Sequence, residues 1–218
     1  MNRTAFWTGL GILLLGGVWA VTWTTSQKSV ETEDVAREEA QMVRDTDQVK
    51  GSREARVVLV EYSDFQCPAC QFYAEWISQL AESFGEDIAI VYRHFPLRSI
   101  HQQAELAALA SEAASKQGMF WEYHDLLFER QKDWAGNKNA RDLFVSYALM
   151  LNLNEETFVS DIEDLNSKEK VRRDLAEGES LGVRGTPTFY LQGKSIQNPR
   201  TYAEFEQYII GAFQEQEE

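Results

Sequence analysis

The fold of this chain is decided by residues 57–70, which read VVLVEYSDFQCPAC. The first part is a run of apolar, β-favouring residues, typical of a strand buried in the centre of a sheet. Cys67 and Cys70 follow it, and they are the only cysteines among 218 residues. Pro68 is favoured in the first turn of a helix, where its missing N–H costs nothing. Because the N–H groups at a helix N-terminus favour a thiolate at Cys67, the pair is predicted to cycle between dithiol and disulfide.

Three other uses of the two cysteines are a structural zinc site, a structural disulfide and two unrelated core thiols. A structural zinc site usually needs four Cys or His ligands. This chain has no second cysteine pair, and His94, His101 and His124 lack a zinc-binding spacing. A disulfide across so short a loop restricts the unfolded chain very little. The cysteine pattern therefore favours redox activity.

No nucleotide, flavin or metal motif is found along the chain. We therefore expect no metal and no cofactor other than the redox-active Cys67–Cys70 disulfide itself.

Residues 1–25 are predicted to anchor the chain in the cell membrane as a single helix. No charged residue lies between Arg3 and Lys28, and the apolar part spans about 28 Å as a helix, enough to cross the hydrocarbon core of a bilayer. The alternative is a cleaved signal peptide, because Val18-Trp19-Ala20 loosely resembles a cleavage site. Arg3 favours an N-terminus in the cytoplasm. Both alternatives place the cysteine pair on the extracytoplasmic side, where disulfides form and persist.

The rest of the chain is predicted to be a tether at residues 26–54 and one domain at residues 55–214. The tether is polar, mixed in charge and poor in aromatic residues, and we expect it to be partly helical. The domain is large enough for a sizeable core. A formal net charge of -14 argues against nucleic acid as a partner and against close contact with anionic lipid.

The domain is predicted to be of the α/β class. The expected elements are a strand at 57–62, a helix at 68–84, a strand at 88–92, helices within 101–182, a hairpin of strands at 188–191 and 195–196, and a last helix from Asn198-Pro199 to Gly211. The order strand, helix, strand implies parallel pairing of the first two strands with a right-handed crossover.

This order and four short motifs resemble the DsbA-like thiol-disulfide oxidoreductases of the thioredoxin superfamily. The motifs are the strand that ends in Glu61, FQCPAC at 65–70, YRHFPL at 92–97 and VRGTPTF at 183–189. The resemblance covers the soluble domain. It implies a thioredoxin-like fold with a helical subdomain inserted at about residues 99–182.

The resemblance also implies a role for each matching residue. Cys67 is the expected nucleophile of a mixed disulfide, and Cys70 is expected to resolve it. Glu61 matches the buried carboxylate that exchanges a proton with the inner thiol, and desolvation should raise its pKa. The alternative for Glu61 is a position at the edge of the strand, facing water. Pro187 matches a proline that is cis in the family, and it would place the backbone of Thr186 beside the disulfide to pair with substrate.

The first functional hypothesis is a membrane-tethered oxidase that donates its disulfide to folding extracytoplasmic polypeptides and is recycled by a membrane redox partner. The second is a reductase or isomerase that uses the same residues in the reverse direction. The third is a non-catalytic thioredoxin-like module that binds a partner. The cysteine pair, Glu61 and Thr186-Pro187 together argue against the third, because binding alone requires no such set. Ala69 replaces the histidine that strengthens the oxidising power of some family members.

Overall fold

The computed structural model of the protein describes residues 43–216. The predicted membrane anchor, residues 1–25, and residues 26–42 of the predicted tether lie outside the described residues. Within the described part of the chain, no helix is long and apolar enough to cross a membrane.

A five-stranded mixed sheet forms the centre of the domain. Its strands are β1 Gln48–Gly51, β2 Val57–Ser63, β3 Ile88–His94, β4 Thr188–Leu191 and β5 Lys194–Ile196. They lie side by side in the order β1-β3-β2-β4-β5. Strand β2 pairs parallel with β3, as predicted, and antiparallel with β4. Every residue of β2 and β3 is buried, which explains why both strands are continuous apolar runs rather than alternating ones.

Strand β1 corrects the predicted extent of the tether. The sequence pattern assigned residues 26–54 to the tether, but Gln48–Gly51 pair antiparallel with β3 at the edge of the sheet. This strand is short and only half-buried, so it contains no apolar alternation from which a strand could be predicted. The described residues of the domain therefore begin before residue 55.

Eight α-helices complete the described part of the chain. They are α1 Pro68–Phe84, α2 Ala104–Ser115, α3 Phe120–Glu129, α4 Gln131–Trp134, α5 Ala140–Met150, α6 Glu155–Ile162, α7 Leu165–Ser180 and α8 Tyr202–Glu215. Helices α2 to α7 lie between β3 and β4 in the chain, so the predicted helical insertion is confirmed.

The start of the last helix differs from the prediction. Helix α8 begins at Tyr202, after the N-cap residue Thr201, whose hydroxyl accepts a hydrogen bond from the N–H of Glu204 at 3.1 Å. The Asn198-Pro199 pair lies ahead of the helix, and the Asn198 side chain instead donates to the carbonyl of Pro187 at 2.9 Å. A Thr hydroxyl can cap the N-terminus of a helix just as an Asn side chain can. The local sequence therefore contains two candidate N-cap residues, Asn198 and Thr201, and the helix uses Thr201.

The two faces of the sheet are covered by different helices. Alternation along β2 sends Val57 and Leu59 into an apolar cluster with α1 and α8. Val58, Val60 and Tyr62 point to the other face, into a cluster that includes residues of α7 and the segment after it. Since Glu61 has the same parity as Val57 and Leu59, its side chain lies on the α1 face.

A buried ionic network joins the segment before β1 to the sheet and to α7. The Arg93 guanidinium is fully buried and contacts the carboxylates of Asp47 and Glu177, each at 2.9 Å. Arg44 also pairs with Glu177. A buried charge requires a partner of opposite sign. If one partner is removed, the remaining charge stays in the protein interior, which solvates it poorly.

We expect Asp47→Asn to lower the free energy of unfolding by about 3 kcal/mol, because it removes one partner of a buried charge. Denaturant unfolding of both proteins measures this difference. The matched control is Glu169→Gln, which breaks an exposed pair with Arg172 and should change the free energy of unfolding far less, because solvent screens exposed charges. Equal effects of the two substitutions would show that the buried network contributes no more than a surface pair.

Candidate active site

The two cysteines lie at the N-terminus of α1, as predicted. Cys67 is the N-cap residue, with extended backbone angles (φ -76, ψ 123), and Pro68 occupies the first turn. Both thiols are free. Cys67 retains 7% of its surface and Cys70 none, whereas the two residues between them are exposed. Only Cys67 can therefore meet the sulfur of another protein.

The environments of the two sulfurs push their pKa values in opposite directions. A hydrogen bond with the Cys70 thiol, together with the backbone N–H groups of Cys70 and Ala69, lowers the pKa of Cys67 to about 5 despite its burial. Burial, the neighbouring Cys67 and the charge of Glu61 raise the pKa of Cys70 well above the ordinary value. At neutral pH the pair therefore consists of an outer thiolate and an inner thiol.

Glu61 lies in the interior beneath the cysteines. Its side chain is 3% exposed, so the alternative in which it faces water is wrong. Burial raises the pKa of the Glu61 carboxyl to about 7. Its charge acts on Cys70, so it is near enough to influence the proton of the inner thiol. A carboxyl with a pKa near neutrality can both accept and release a proton under physiological conditions.

The segment before β4 passes beside the outer sulfur. The Thr186–Pro187 peptide bond is cis, as the resemblance implies, and Sγ of Cys67 lies 3.3 Å from the carbonyl oxygen of Thr186, within hydrogen-bonding distance when the thiol is protonated. The pairing of Thr188 with Tyr62 in the sheet brings this segment to the end of β2 from which the cysteine loop leaves. The structure thus brings together all five residues that the sequence singled out.

Asp64 is a site residue that the sequence reasoning missed. One of its carboxylate oxygens accepts the N–H of Gln66 at 2.7 Å, and the other accepts the N–H of Leu97 and lies 2.8 Å from Nδ1 of His101. Asp64 therefore fixes the turn that leads from β2 to Cys67. An acidic residue directly after a buried strand is the signal that could have indicated it.

The three histidines bind separate carboxylates rather than one another. His94 contacts Glu112, His101 contacts Asp64 and His124 contacts Asp125. Among residues 43–216, no three Cys, His, Asp or Glu side chains are placed to hold a metal ion.

Comparison with known proteins matches residues 44–210 to the family model described as Thioredoxin. The chain belongs to the thioredoxin family. Its structure is also similar to solved DsbA-type structures. Oxidised BdbD from Bacillus subtilis is 25% identical with a TM-score of 0.71, over 80% of this chain and 97% of that one. Alpha-DsbA1 from Wolbachia pipientis, 19% identical, has a TM-score of 0.72 over 83% and 96% of the two chains, and shows the fold alone.

The predicted resemblance is confirmed: this is a DsbA-like member of the thioredoxin superfamily. The family, the fold and the CxxC pair support a thiol-disulfide oxidoreductase of the DsbA type.

Curated proteins that are similar to this chain include much longer ones. A Na(+)/H(+) antiporter NhaA from Herminiimonas arsenicoxydans is 37% identical over 150 residues, which is 69% of this chain and 23% of that protein. An antiporter NhaA 1 from Salinispora arenicola is 39% identical over 150 residues, or 69% and 22% of the two proteins. The chain spans about a quarter of the length of these relatives.

Glu61→Gln tests the buried carboxyl through its pH dependence. Because the pKa of about 7 in the folded protein exceeds the ordinary value of 4.5 for a glutamate, the unfolded chain loses this proton first, and stability falls as the pH rises between these two values. The variant lacks this loss. It should therefore be up to about 3 kcal/mol more stable than the wild type above neutral pH, with the gap closing towards about pH 4. Denaturant unfolding of the reduced wild type and the reduced variant, at about pH 4 and again above neutral pH, measures this difference in stability.

The same substitution should slow thiol–disulfide exchange, since Gln cannot take or supply the proton of Cys70. Glu82→Gln, at an exposed position on α1, is the control and should change neither the pH dependence of stability nor the rate of thiol–disulfide exchange. A stability difference between Glu61→Gln and the wild type that is the same at both pH values would contradict a titrating buried carboxyl.

Proposed function

We propose that this chain is a disulfide oxidase that introduces disulfides into folding extracytoplasmic polypeptides. The observation that carries the proposal is the opposite shift of the two thiols, with the pKa of Cys67 lowered to about 5 and that of Cys70 raised. A stabilised Cys67 thiolate stabilises the dithiol form. A disulfide whose reduced form is stabilised is readily given up to another protein.

The size of this effect supports one direction of electron flow over the other. At neutral pH, lowering a thiol pKa from 9.0 to about 5 stabilises the reduced pair by roughly a hundredfold, which corresponds to about 60 mV for a two-electron couple. This moves the protein away from a reductase of the thioredoxin type and towards an oxidase.

The reaction follows from the geometry of the two sulfurs. A substrate thiolate attacks Sγ of Cys67, the Cys67–Cys70 bond breaks, and Cys70 leaves as a thiolate that takes a proton from Glu61 or its surroundings. A second substrate thiolate then attacks the substrate sulfur of the mixed disulfide and releases Cys67 as a thiolate. The substrate loses two electrons and gains a disulfide, and the Cys67–Cys70 pair gains the two electrons.

Two further residues are proposed to bind the substrate. The backbone of Thr186, beside Pro187, lies next to the sulfur that is attacked. An extended segment of substrate can hydrogen-bond to such a backbone as an added strand, which would hold its cysteine against Cys67.

The proposed location and partners rest on the sequence. The apolar stretch within residues 1–25 supports a membrane anchor, with the domain on the extracytoplasmic side. There a membrane redox partner would accept the two electrons and restore the disulfide. Ion transport, which the names of the curated relatives state, is not part of the proposal, because the match covers about a quarter of those proteins.

The deciding experiment is a redox equilibrium of the full chain with glutathione. We expect a potential well above that of thioredoxin, which is about -270 mV, because the Cys67 thiolate stabilises the reduced form. A potential equal to or below the thioredoxin value would contradict the oxidase and favour the reductase. A pair that never exchanges with glutathione would leave only the non-catalytic binding module.

The order of attack is tested by Cys70→Ser in cells whose oxidising compartment contains folding proteins. Because Cys70 is the resolving thiol, the variant should accumulate mixed disulfides through Cys67, visible as higher-mass species on a non-reducing gel. Cys67→Ser is the matched control and should accumulate none, since Cys70 is fully buried. The reverse pattern would show that Cys70 is the attacking residue.

A further inference from the structure

Three glutamine side chains connect the cysteine loop to the helical insertion. Gln66 donates to the carbonyl of Ala135 at 2.6 Å, and Gln71 donates to the carbonyl of Phe128 at 2.5 Å. Gln131 points in the opposite direction, from the insertion to the loop. Its Nε2 donates to the carbonyl of Phe65 at 2.8 Å and to that of Cys67 at 3.0 Å.

We propose that Gln131 is a positioning residue for Cys67, through which the helical insertion holds the attacking sulfur at the N-terminus of α1. The inference rests on the proposed function and deepens it, because it assigns part of the active-site geometry to a helix 64 residues away in the chain.

The chemistry of the site requires an amide at position 131. Gln131 is 4% exposed, and its side-chain amide nitrogen donates to two carbonyls that lie two residues apart in the cysteine loop. Burying an amide is costly unless it is hydrogen-bonded. An apolar side chain of the same length would fill the space but leave both carbonyls without this donor.

Helix α4 is itself held firmly enough to position the loop. Trp134, fully buried on α4, donates from its indole N–H to the carbonyl of Leu127 at 2.9 Å. Phe65 packs against Phe128 of the neighbouring helix, with ring centroids 5.1 Å apart, and stacks on Tyr92 of the sheet at 5.0 Å. Gln131 therefore connects two well-packed parts of the molecule.

The bond to the Cys67 carbonyl acts on the sulfur through the peptide plane. The Cys67 carbonyl also accepts the N–H of Gln71 at 3.2 Å, within the first turn of α1. Since a peptide group is planar, fixing this carbonyl fixes the Cys67–Pro68 peptide and the direction in which α1 begins. The N–H groups of Ala69 and Cys70 that stabilise the Cys67 thiolate then keep their alignment with its sulfur.

Gln131→Met in the full chain tests this role, because Met keeps the length of the side chain and lacks the donors. We expect the pKa of Cys67, followed by the ultraviolet absorbance of its thiolate, to rise by about one unit. The equilibrium with glutathione should shift about tenfold towards the disulfide form.

The matched control is Gln192→Met at the opposite end of β2. Gln192 also makes two backbone hydrogen bonds, accepting from Val58 at 2.9 Å and donating to Arg56 at 2.9 Å. Its loss should lower stability and leave the Cys67 pKa and the glutathione equilibrium unchanged. If Gln131→Met behaves in the same way, Gln131 is merely structural and the inference is overturned.

Gln131→Asn covers the case in which the Met variant fails to fold. It retains the amide but is one methylene shorter, so it can reach only one of the two carbonyls, and a smaller shift in the same direction is expected. A folded Asn variant with an unshifted Cys67 pKa overturns the inference. A wild-type chain that does not exchange with glutathione overturns the proposed oxidase instead, while the thiolate titration still tests Gln131.

Discussion

Every part of the site depends on the placement of β2 in the middle of the sheet. It is hydrogen-bonded to β3 on one side and to β4 on the other, and helices cover both of its faces. A strand that is paired on both sides and packed on both faces cannot slip by one residue without exchanging the side chains, Glu61 among them, that pack on its two faces. The end of β2 therefore lies at one fixed point, where the cysteine loop begins and the Thr186–Pro187 segment arrives from β4.

The same fixed register places Cys67 and Cys70, one helical turn apart, in environments that shift their pKa values in opposite directions. Cys70 points inward, where no water solvates a negative charge, and Glu61 meets the same lack of solvation from the sheet. Cys67 sits at the end of α1, where N–H groups without helical partners favour its thiolate. One thiol of the pair is thus kept protonated and the other ionised, although the two cysteines are only three positions apart in the sequence.

Much of this could be predicted from the sequence because the signals were local. The apolar runs of β2 and β3, the bounds of α1 and the CxxC pair are all contained in short windows. Strand β1 was missed because a half-buried edge strand of four residues has no repeating pattern. Gln131 and Asp64 were missed for a different reason. The hydrogen-bond partners of Gln131 lie more than 60 residues away, so no local pattern indicates them. Asp64 directly follows a buried strand, but its contacts with Leu97 and His101 belong to a later loop that the local sequence does not reveal.

The position of β1 affects where the chain can be shortened. A fragment that starts at Ala55, where the composition changes, would lose both β1 and the Asp47 carboxylate that contacts Arg93. Strand β3, seven buried residues long, would then form the edge of the sheet, with its hydrogen-bonding groups open to other molecules. Long apolar edges of this kind pair with further copies of the same chain and aggregate. The short, polar β1 thus covers an apolar strand that would otherwise be open to pairing with other chains.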